Sequence, residues 1–244
     1  MAPPHARPLF VLYGASMTQF SFELGGWGAA LADLYSRKAD ILLRGYSGWN
    51  TRRAIEALDT IFPKDASVQP ALVVVFFGAN DAAFPSPTGS GGQHVPIAEF
   101  QENLCHIAAH LQGLSEKTHV ILTTAPPIHE ESRCNWLRMK FGEENGISSD
   151  RTNERAGQYA AACRAAAKQM GAGVIDLWTS IQKHPNWQTE CLSDGMHLAP
   201  EGSKVMLKEL LQVLKDAPWE PSLHHTSLPN DFPLPHIYDY VPPA

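Results

Sequence analysis

The sequence predicts an α/β fold, with a mostly parallel five-stranded sheet covered by helices on both faces. Short apolar runs of strand length alternate along the chain with longer stretches whose apolar residues recur at helical spacing. This alternation is typical of a doubly wound sheet. The chain has 244 residues, 44% of them hydrophobic, so one large domain can bury a sizeable core without disulfide bonds.

The predicted strands are short apolar runs, and the first of them ends at Gly14, which indicates a sharp turn. They span residues 9–13, 41–43, 71–77, 120–124 and 174–177. The predicted helices carry apolar residues on one face, and the last begins near Pro200, a residue that suits a first turn. They span about residues 28–38, 54–62, 97–114, 151–170 and 200–214.

All of these elements lie in one predicted domain, residues 8–216. The remaining residues, 217–244, include seven prolines. They are too aromatic for a simple disordered tail, with Trp219, Phe232, Tyr238 and Tyr240. We therefore expect a proline-rich arm that packs on the body of the protein or on a partner, and a homodimer contact is one such arrangement.

Charge and composition argue against several classes of partner. The chain carries 19 Lys plus Arg against 25 Asp plus Glu, a net charge of −6, and has no basic block, so we expect no nucleic-acid surface. No apolar run approaches the roughly 18 residues that cross a bilayer. We also find no signal peptide and no Asn-x-Ser/Thr sequon, so we expect a cytoplasmic protein with no membrane contact. The four cysteines are scattered without metal-ligand spacing, and we expect neither a metal ion nor an organic cofactor.

Ser16 is the first candidate for chemistry. It follows the first predicted strand, so its hydroxyl is expected at the carboxyl edge of the sheet, where substrates bind. The segment from Gly14 is not Gly-x-Ser-x-Gly, because Thr18 occupies the last glycine position, and the nucleophile elbow of the common α/β-hydrolases is therefore absent. Taken alone, Ser16 fits a helix-capping serine equally well.

Asp194 and His197 are the groups that a nucleophilic serine would need. An ester-cleaving serine requires an imidazole to take its proton, and the imidazole requires a carboxylate that fixes its tautomer. In an irregular loop, a carboxylate three residues before a histidine can curl back to the ring. An Asp-x-x-His pair is common by chance, however, and a surface loop with a capping aspartate is the alternative.

Gly45 and Asn80 are candidates for binding developing negative charge. Each lies at the end of a predicted strand, where Gly45 can present its backbone N–H and Asn80 its side-chain amide. Ordinary turn chemistry explains either residue taken alone. Because Ser16, Gly45 and Asn80 follow three successive strands, the fold is expected to bring them to one edge of the sheet.

Four blocks of the sequence together resemble the SGNH, or GDSL-type, hydrolases. They are GASMTQ with Ser16, RGYSGWNTR with Gly45, FFGANDA with Asn80, and DGMHLAPEG with Asp194 and His197. The longer run GGWGAALADLYSRKADILLRGYSGWNTR resembles the isoamyl acetate-hydrolysing esterase branch of plants and fungi. The resemblance covers roughly residues 8–230.

The resemblance implies a flavodoxin-like three-layer α/β/α sandwich and an esterase that cleaves small-acyl esters, with acetate as the first choice. Ser16 would attack the ester carbonyl, His197 would act as base and then as acid, and Asp194 would orient His197. The oxyanion would be bound by the backbone N–H of Ser16, the N–H of Gly45 and the side chain of Asn80. The implied partner is a small-molecule ester.

Ala15 departs from the family pattern, which usually has aspartate at that position. A carboxylate beside the nucleophile would accept hydrogen bonds that fix the turn, so its loss leaves three interpretations open. The protein is a working hydrolase, an acyltransferase that uses the same site, or a weakly active or inactive binding protein. We favour the hydrolase.

Three aromatic residues are candidates for substrate binding. Trp27 and Trp49 flank the blocks that contain Ser16 and Gly45, although buried aromatic residues more often belong to the core. Phe84 lies in residues 82–96, a stretch without periodicity that directly follows a predicted strand end. We expect this stretch to form a loop that faces the substrate.

Overall fold

The computed structural model describes residues 7–85, 92–142 and 149–232, and its centre is one sheet of five strands. The strands are ordered β2-β1-β3-β4-β5, and every neighbouring pair is parallel. The predicted α/β fold with a mostly parallel sheet is therefore confirmed. The strands are β1 (Leu9–Gly14), β2 (Asp40–Gly45), β3 (Leu72–Phe76), β4 (His119–Thr123) and β5 (Gly173–Ile175).

Ten α-helices connect or follow the strands in the described part of the chain. They are α1 (Ser16–Gln19), α2 (Trp27–Leu34), α3 (Thr51–Glu56), α4 (Leu58–Ile61), α5 (Ile97–Gln112), α6 (Glu130–Phe141), α7 (Asn153–Met170), α8 (Leu177–Gln182), α9 (Trp187–Glu190) and α10 (Pro200–Asp216). The single helix predicted over 54–62 is in fact two short helices. Helix α6 was not predicted, because its polar sequence EESRCNWLRMKF has no continuous apolar stripe.

The sheet separates two apolar cores, as the alternation along β3 shows. Leu72 and Val74 pack with helices α2, α8 and α10, whereas Val73 and Val75 pack with helices α3, α4, α5 and α7. Because successive side chains of a strand point to opposite faces, both sets can be buried only if both faces are covered. The molecule is thus the three-layer α/β/α sandwich that was expected.

The strand order also determines where a ligand can bind. From β1 the chain passes to β2 on one side, and from β2 it crosses to β3 on the other side of β1. The topological switch point therefore lies between β1 and β3. Ser16 lies two residues after the end of β1, and Asn80 lies four residues after the end of β3. Both residues therefore lie at the crevice where open parallel sheets bind their ligands.

Residues 217–232 contact the opposite, amino-terminal edge of the sheet. The hydroxyl of Tyr35 donates to the carbonyl of Leu223 at 2.9 Å, and Trp219 stacks on His119, the first residue of β4, at 4.2 Å between ring centroids. Leu223 is buried in the core on the α2 side. Tyr238 and Tyr240, on which the prediction of an arm also rested, lie outside the described residues. No helix in the described ranges is both long and apolar enough to cross a bilayer.

Candidate active site

The structure brings Ser16, His197 and Asp194 into one hydrogen-bonded chain. Ser16 is the first residue of α1, and His197 lies in the loop between α9 and α10. The Nε2 atom of His197 is 2.9 Å from the Oγ of Ser16, and its Nδ1 atom is 2.8 Å from Oδ2 of Asp194. A serine, a histidine and a carboxylate in this order are able to perform nucleophilic catalysis.

The loop itself holds Asp194 in place. Its Oδ1 atom accepts the backbone N–H groups of Met196 at 3.0 Å and of His197 at 2.8 Å. Burial alone would raise the pKa of Asp194. That effect is outweighed by the hydrogen bonds and charge of His197 and by the nearby Arg133, so the pKa of the carboxyl is lowered and Asp194 is ionised at neutral pH.

The Asn80 amide has one hydrogen without a partner among the described residues. Its Nδ2 atom donates to the carbonyl of Trp49 at 2.7 Å, and its Oδ1 atom accepts from Arg151 at 3.1 Å. An amide nitrogen carries two hydrogens, so one remains for a ligand. Asn80 lines the same cavity as Ser16 and His197.

The structure does not support Gly45 as the second donor. The N–H of Tyr46 bonds to Gly14 of β1 at 2.8 Å. Successive N–H groups of a strand point to opposite sides, and the N–H group of Gly45 therefore points away from β1. Gly45 instead allows close packing, because a Cβ there would lie 2.1 Å from the backbone nitrogen of Gln19 in α1.

Gly48, rather than Gly45, lies at the cavity. It lines the cavity with Ser16 and Asn80, and its φ of +83° is one that glycine adopts readily. Neither its backbone N–H nor that of Ser16 makes a hydrogen bond to any described residue. The sequence motif Arg-Gly-Tyr-Ser-Gly contains both glycines, and only the end of β2 at Gly45 shows which of them reaches the cavity.

Two cavities meet at the Ser16–His197 pair. The small one, of about 210 Å³, is lined by Met17, Phe20 and Trp27 among others. The large one, of about 820 Å³, is lined by Trp49, Asn80 and charged side chains from α3 and α6. Ser16 and His197 therefore line both cavities.

The three candidate substrate-binding aromatics have different positions. Trp49 lines the large cavity. Trp27 is 1% exposed, and its indole N–H donates to the carbonyl of Met17 at 3.0 Å, so it mainly secures the turn that carries Ser16. Phe84 lines neither cavity among the described residues and lies near the Arg155 guanidinium instead, so the assignment of Phe84 to substrate binding is not supported.

The loop over 82–96 is only partly described, since residues 86–91 lie outside the described ranges. Its described end reaches the site, because Gly92 and Gln93 line the large cavity.

Ala15 is buried at the N-cap position of α1 and offers that helix no side-chain hydrogen bond. Across the described ranges, no group of three or more His, Cys, Asp or Glu side chains is arranged to bind a metal ion.

Two arginines at the site carry no signal in the sequence. Arg133 of α6 donates to Asp194 at 2.9 Å, and Arg151, just before α7, donates to Asn80. Each lies more than 60 positions along the chain from its partner. No local motif could have identified them.

Comparison with known proteins decides the family. Residues 12–205 match the GDSL-like Lipase/Acylhydrolase family. The chain belongs to this family. The GDSL-type assignment made from the four sequence blocks is therefore confirmed, and with it the prediction of a serine esterase that acts on carboxylic esters.

Relatives of the GDSL family cover nearly the whole chain. The GDSL esterase/lipase WDL1 of Oryza sativa subsp. japonica is 50% identical over 240 residues, which are 98% of this chain and 90% of that protein. The isoamyl acetate-hydrolyzing esterase 1 homolog of Bos taurus is 38% identical over 214 residues, covering 87% of this chain and 83% of that protein. The crystal structure of a lipase/acylhydrolase from Enterococcus faecalis shares the fold, with a TM-score of 0.64 at 23% identity over 85% of this chain and 95% of that one.

Proposed function

We propose that this GDSL-family protein hydrolyses carboxylic esters of small acyl groups, acetate first, through an acyl-enzyme on Ser16. The observation that carries the proposal is the hydrogen-bonded chain from Ser16 through His197 to Asp194, with distances of 2.9 and 2.8 Å. The name of the bovine relative, an isoamyl acetate-hydrolyzing esterase homolog, supports a short acyl group.

In the first half of the reaction, Ser16 is acylated. Its Oγ atom bonds to the ester carbonyl carbon while its proton passes to Nε2 of His197. The carbon–oxygen bond to the alcohol then breaks, and His197 returns the proton to the leaving alkoxide. Asp194 stabilises the imidazolium that forms between these steps.

In the second half, water takes the place of the alcohol. His197 removes a proton from the water, and the resulting oxygen attacks the acyl carbon. The bond to Ser16 breaks, and the serine oxygen recovers the proton from His197. One ester and one water thus give one acid and one alcohol.

The carbonyl oxygen becomes negatively charged in both tetrahedral intermediates. The backbone N–H groups of Ser16 and Gly48 and the free Nδ2 hydrogen of Asn80 are the donors that we assign to it. Losing one such donor typically costs about 10²- to 10³-fold in turnover. Acetyl and other short acyl groups fit within the small cavity of about 210 Å³, and the large cavity of about 820 Å³ then receives the alcohol.

The proposal is tested by replacing the nucleophile. Ser16→Ala should reduce hydrolysis of p-nitrophenyl acetate to the background rate and abolish covalent labelling by a fluorophosphonate, because only an activated serine reacts with that probe. Ser36→Ala is the matched control, since Ser36 is an exposed serine between α2 and β2 at the far edge of the sheet. A Ser16→Ala protein that hydrolyses the ester as fast as the wild type would overturn the proposal.

The same experiments separate the other interpretations that Ala15 leaves open. A wild-type protein that is folded but is not labelled by the fluorophosphonate would be an inactive binding protein. A wild-type protein that converts most of the acyl group to a new ester when an alcohol is added would be an acyltransferase.

A further inference from the structure

A row of three charged side chains, two buried arginines and a partly exposed aspartate, links Asp194 to Asn80. Arg133 contacts Asp194 at one end, Arg151 contacts Asn80 at the other, and Asp150 lies between the two arginines and pairs with both. The arginine side chains are only 6% and 2% exposed. We refer to Arg133, Asp150 and Arg151 as the charged row.

Arg151 holds the acceptor end of the Asn80 amide. Its Nη2 atom donates to Oδ1 of Asn80 at 3.1 Å and to Oε1 of Gln93 at 2.8 Å, and its Nε donates to the carbonyl of Ala79 at 2.7 Å. An arginine has no acceptor, so it can face only the oxygen of the amide. The nitrogen of Asn80 must then face the other way, where one hydrogen bonds to Trp49 and the second remains for the oxyanion.

Arg151 also changes the strength of that donor. A cation on the oxygen of an amide draws electron density from its nitrogen and makes the N–H groups more acidic. In a buried setting this polarisation is weakly screened. Arg151 therefore both orients and strengthens the one donor of the proposed oxyanion site that is a side chain.

Arg133 contacts the other end of the active site. Its Nη1 atom donates to Oδ2 of Asp194 at 2.9 Å, the same oxygen that accepts from His197. Its Nε and Nη2 atoms donate to the two oxygens of Asp150 at 3.0 and 3.2 Å. With Oδ1 bonded to the loop backbone, Asp194 has partners on both oxygens and cannot rotate away from the histidine.

The composition of the charged row indicates a role beyond packing. Burying two guanidinium groups is expensive, and buried ion pairs are often no more stable than apolar side chains of the same volume. Apolar side chains could join α6 to the start of α7 at lower cost. They could not fix the direction of an amide or of a carboxylate.

We propose that Arg133 and Arg151 are positioning residues for ester hydrolysis, with Arg151 acting through Asn80 and Arg133 acting through Asp194. The proposal rests on the function proposed above. It predicts that each arginine contributes to turnover only while its partner is intact.

Double-mutant cycles on purified full-length protein test this prediction. Arg151→Met should lower kcat for p-nitrophenyl acetate by about 10- to 100-fold with KM changed by less than about 3-fold, since the lost interaction acts mainly in the transition state. Asn80→Ala should lower kcat by about 10²- to 10³-fold. The double variant should match Asn80→Ala within about 3-fold, because Arg151 then has no amide left to orient.

The second cycle pairs Arg133→Met with Asp194→Asn. Asp194→Asn should lower kcat by on the order of 10⁴-fold, as loss of a triad carboxylate does. Arg133→Met alone should lower kcat by about 10-fold, and it should change the rate of Asp194→Asn by less than about 3-fold. Arg164→Met is the control, because it removes a partly exposed arginine–aspartate pair from α7 with no contact to the site, and its kcat should equal that of the wild type.

Conservative replacements keep the test decisive if a Met variant does not fold. Arg133→Lys and Arg151→Lys keep the charge but cannot make the same set of bonds, and the same non-additivity is expected of each. Arginine effects that multiply with those of Asn80→Ala or Asp194→Asn, or that appear in KM alone, would overturn the inference. An inactive wild-type protein would instead refute the proposed function, so the two failures are distinguishable.

Discussion

At the residue scale, Asp81 is a buried carboxylate next to the site whose hydrogen-bonding capacity is only partly satisfied. It follows Asn80 and is fully buried. Its Oδ1 atom accepts the backbone N–H of Thr51 at 2.9 Å and the Thr51 hydroxyl at 2.5 Å, while its Oδ2 atom has no partner among the described residues. Burial dominates and raises the pKa of Asp81 from 3.8 to about 6.

The sign of the effect on stability follows from that pKa. Between about pH 4 and pH 6 the folded protein binds a proton on Asp81 that the unfolded chain has released. The free energy of unfolding therefore falls as pH rises through this window, and the loss is complete above it. At neutral pH the protein carries the whole cost of a buried, half-satisfied carboxylate.

We predict that Asp81→Asn stabilises the protein at neutral pH. Asparagine imitates the protonated acid and can keep both hydrogen bonds from Thr51 on its oxygen. The free energy of unfolding in urea should rise by about 1 to 3 kcal/mol at pH 7.5 and change little at pH 4. Asp65 is exposed, and Asp65→Asn serves as the control. It should change the free energy of unfolding by less than about 0.5 kcal/mol at either pH. An equal loss of stability at both pH values would contradict the prediction.

At the element scale, helix α6 supports the loop that carries Asp194 and His197. The N–H of His129, the residue before α6, donates to the carbonyl of Gly195 at 2.9 Å. Gly195 has a φ of +80°, and a Cβ there would lie 2.5 Å from the carbonyl oxygen of His129 and from the nitrogen of Arg133. The loop between Asp194 and His197 can therefore approach α6 only with glycine at this position.

We predict that Gly195→Ala impairs catalysis through this contact. The methyl group adds backbone strain and must push the loop away from α6, which moves His197 relative to Ser16. Hydrolysis of p-nitrophenyl acetate and labelling by the fluorophosphonate should both slow by at least 10-fold, with a lower Tm.

Gly171→Ala is the matched control. Gly171 also has a positive φ, of +60°, but no atom lies within 4 Å of its added Cβ. That variant should lose about 1 kcal/mol of stability and no activity. Equal activity in the two variants would rule out the proposed contact.

Sequence patterns predicted the elements and residues whose signals are local. Buried strands are apolar runs, and Asp194 with His197 lies within four positions, so both are readable from the chain itself. Helix α6 is polar on most of its surface and gives no such signal. Arg133 and Arg151 reach their partners only through the fold, and the choice between Gly45 and Gly48 depends on where β2 ends.

At the scale of the whole molecule, the candidate active site and the contacts of residues 217–232 lie at opposite edges of the sheet. Ser16 and Asn80 follow the carboxyl ends of β1 and β3. Residues 217–232 contact the other edge, where Lys38 donates to the carbonyl of Leu228 at 2.7 Å and Arg37 pairs with Asp231 at 3.1 Å.

We predict that Leu223→Ala separates stability from activity. Leu223 is 5% exposed and packs into the core on the α2 side, so truncation leaves a cavity and should lower the free energy of unfolding by about 2 to 4 kcal/mol. Val68→Ala is the control on an exposed apolar residue and should cost less than about 0.5 kcal/mol. At a temperature where both variants are folded, kcat and KM should equal those of the wild type, because Leu223 contacts Tyr35 at the amino edge of the sheet, whereas Ser16 follows the carboxyl end of β1. If Leu223→Ala lowers kcat at such a temperature, residues 217–232 are coupled to the active site, and the separation of the two edges is refuted.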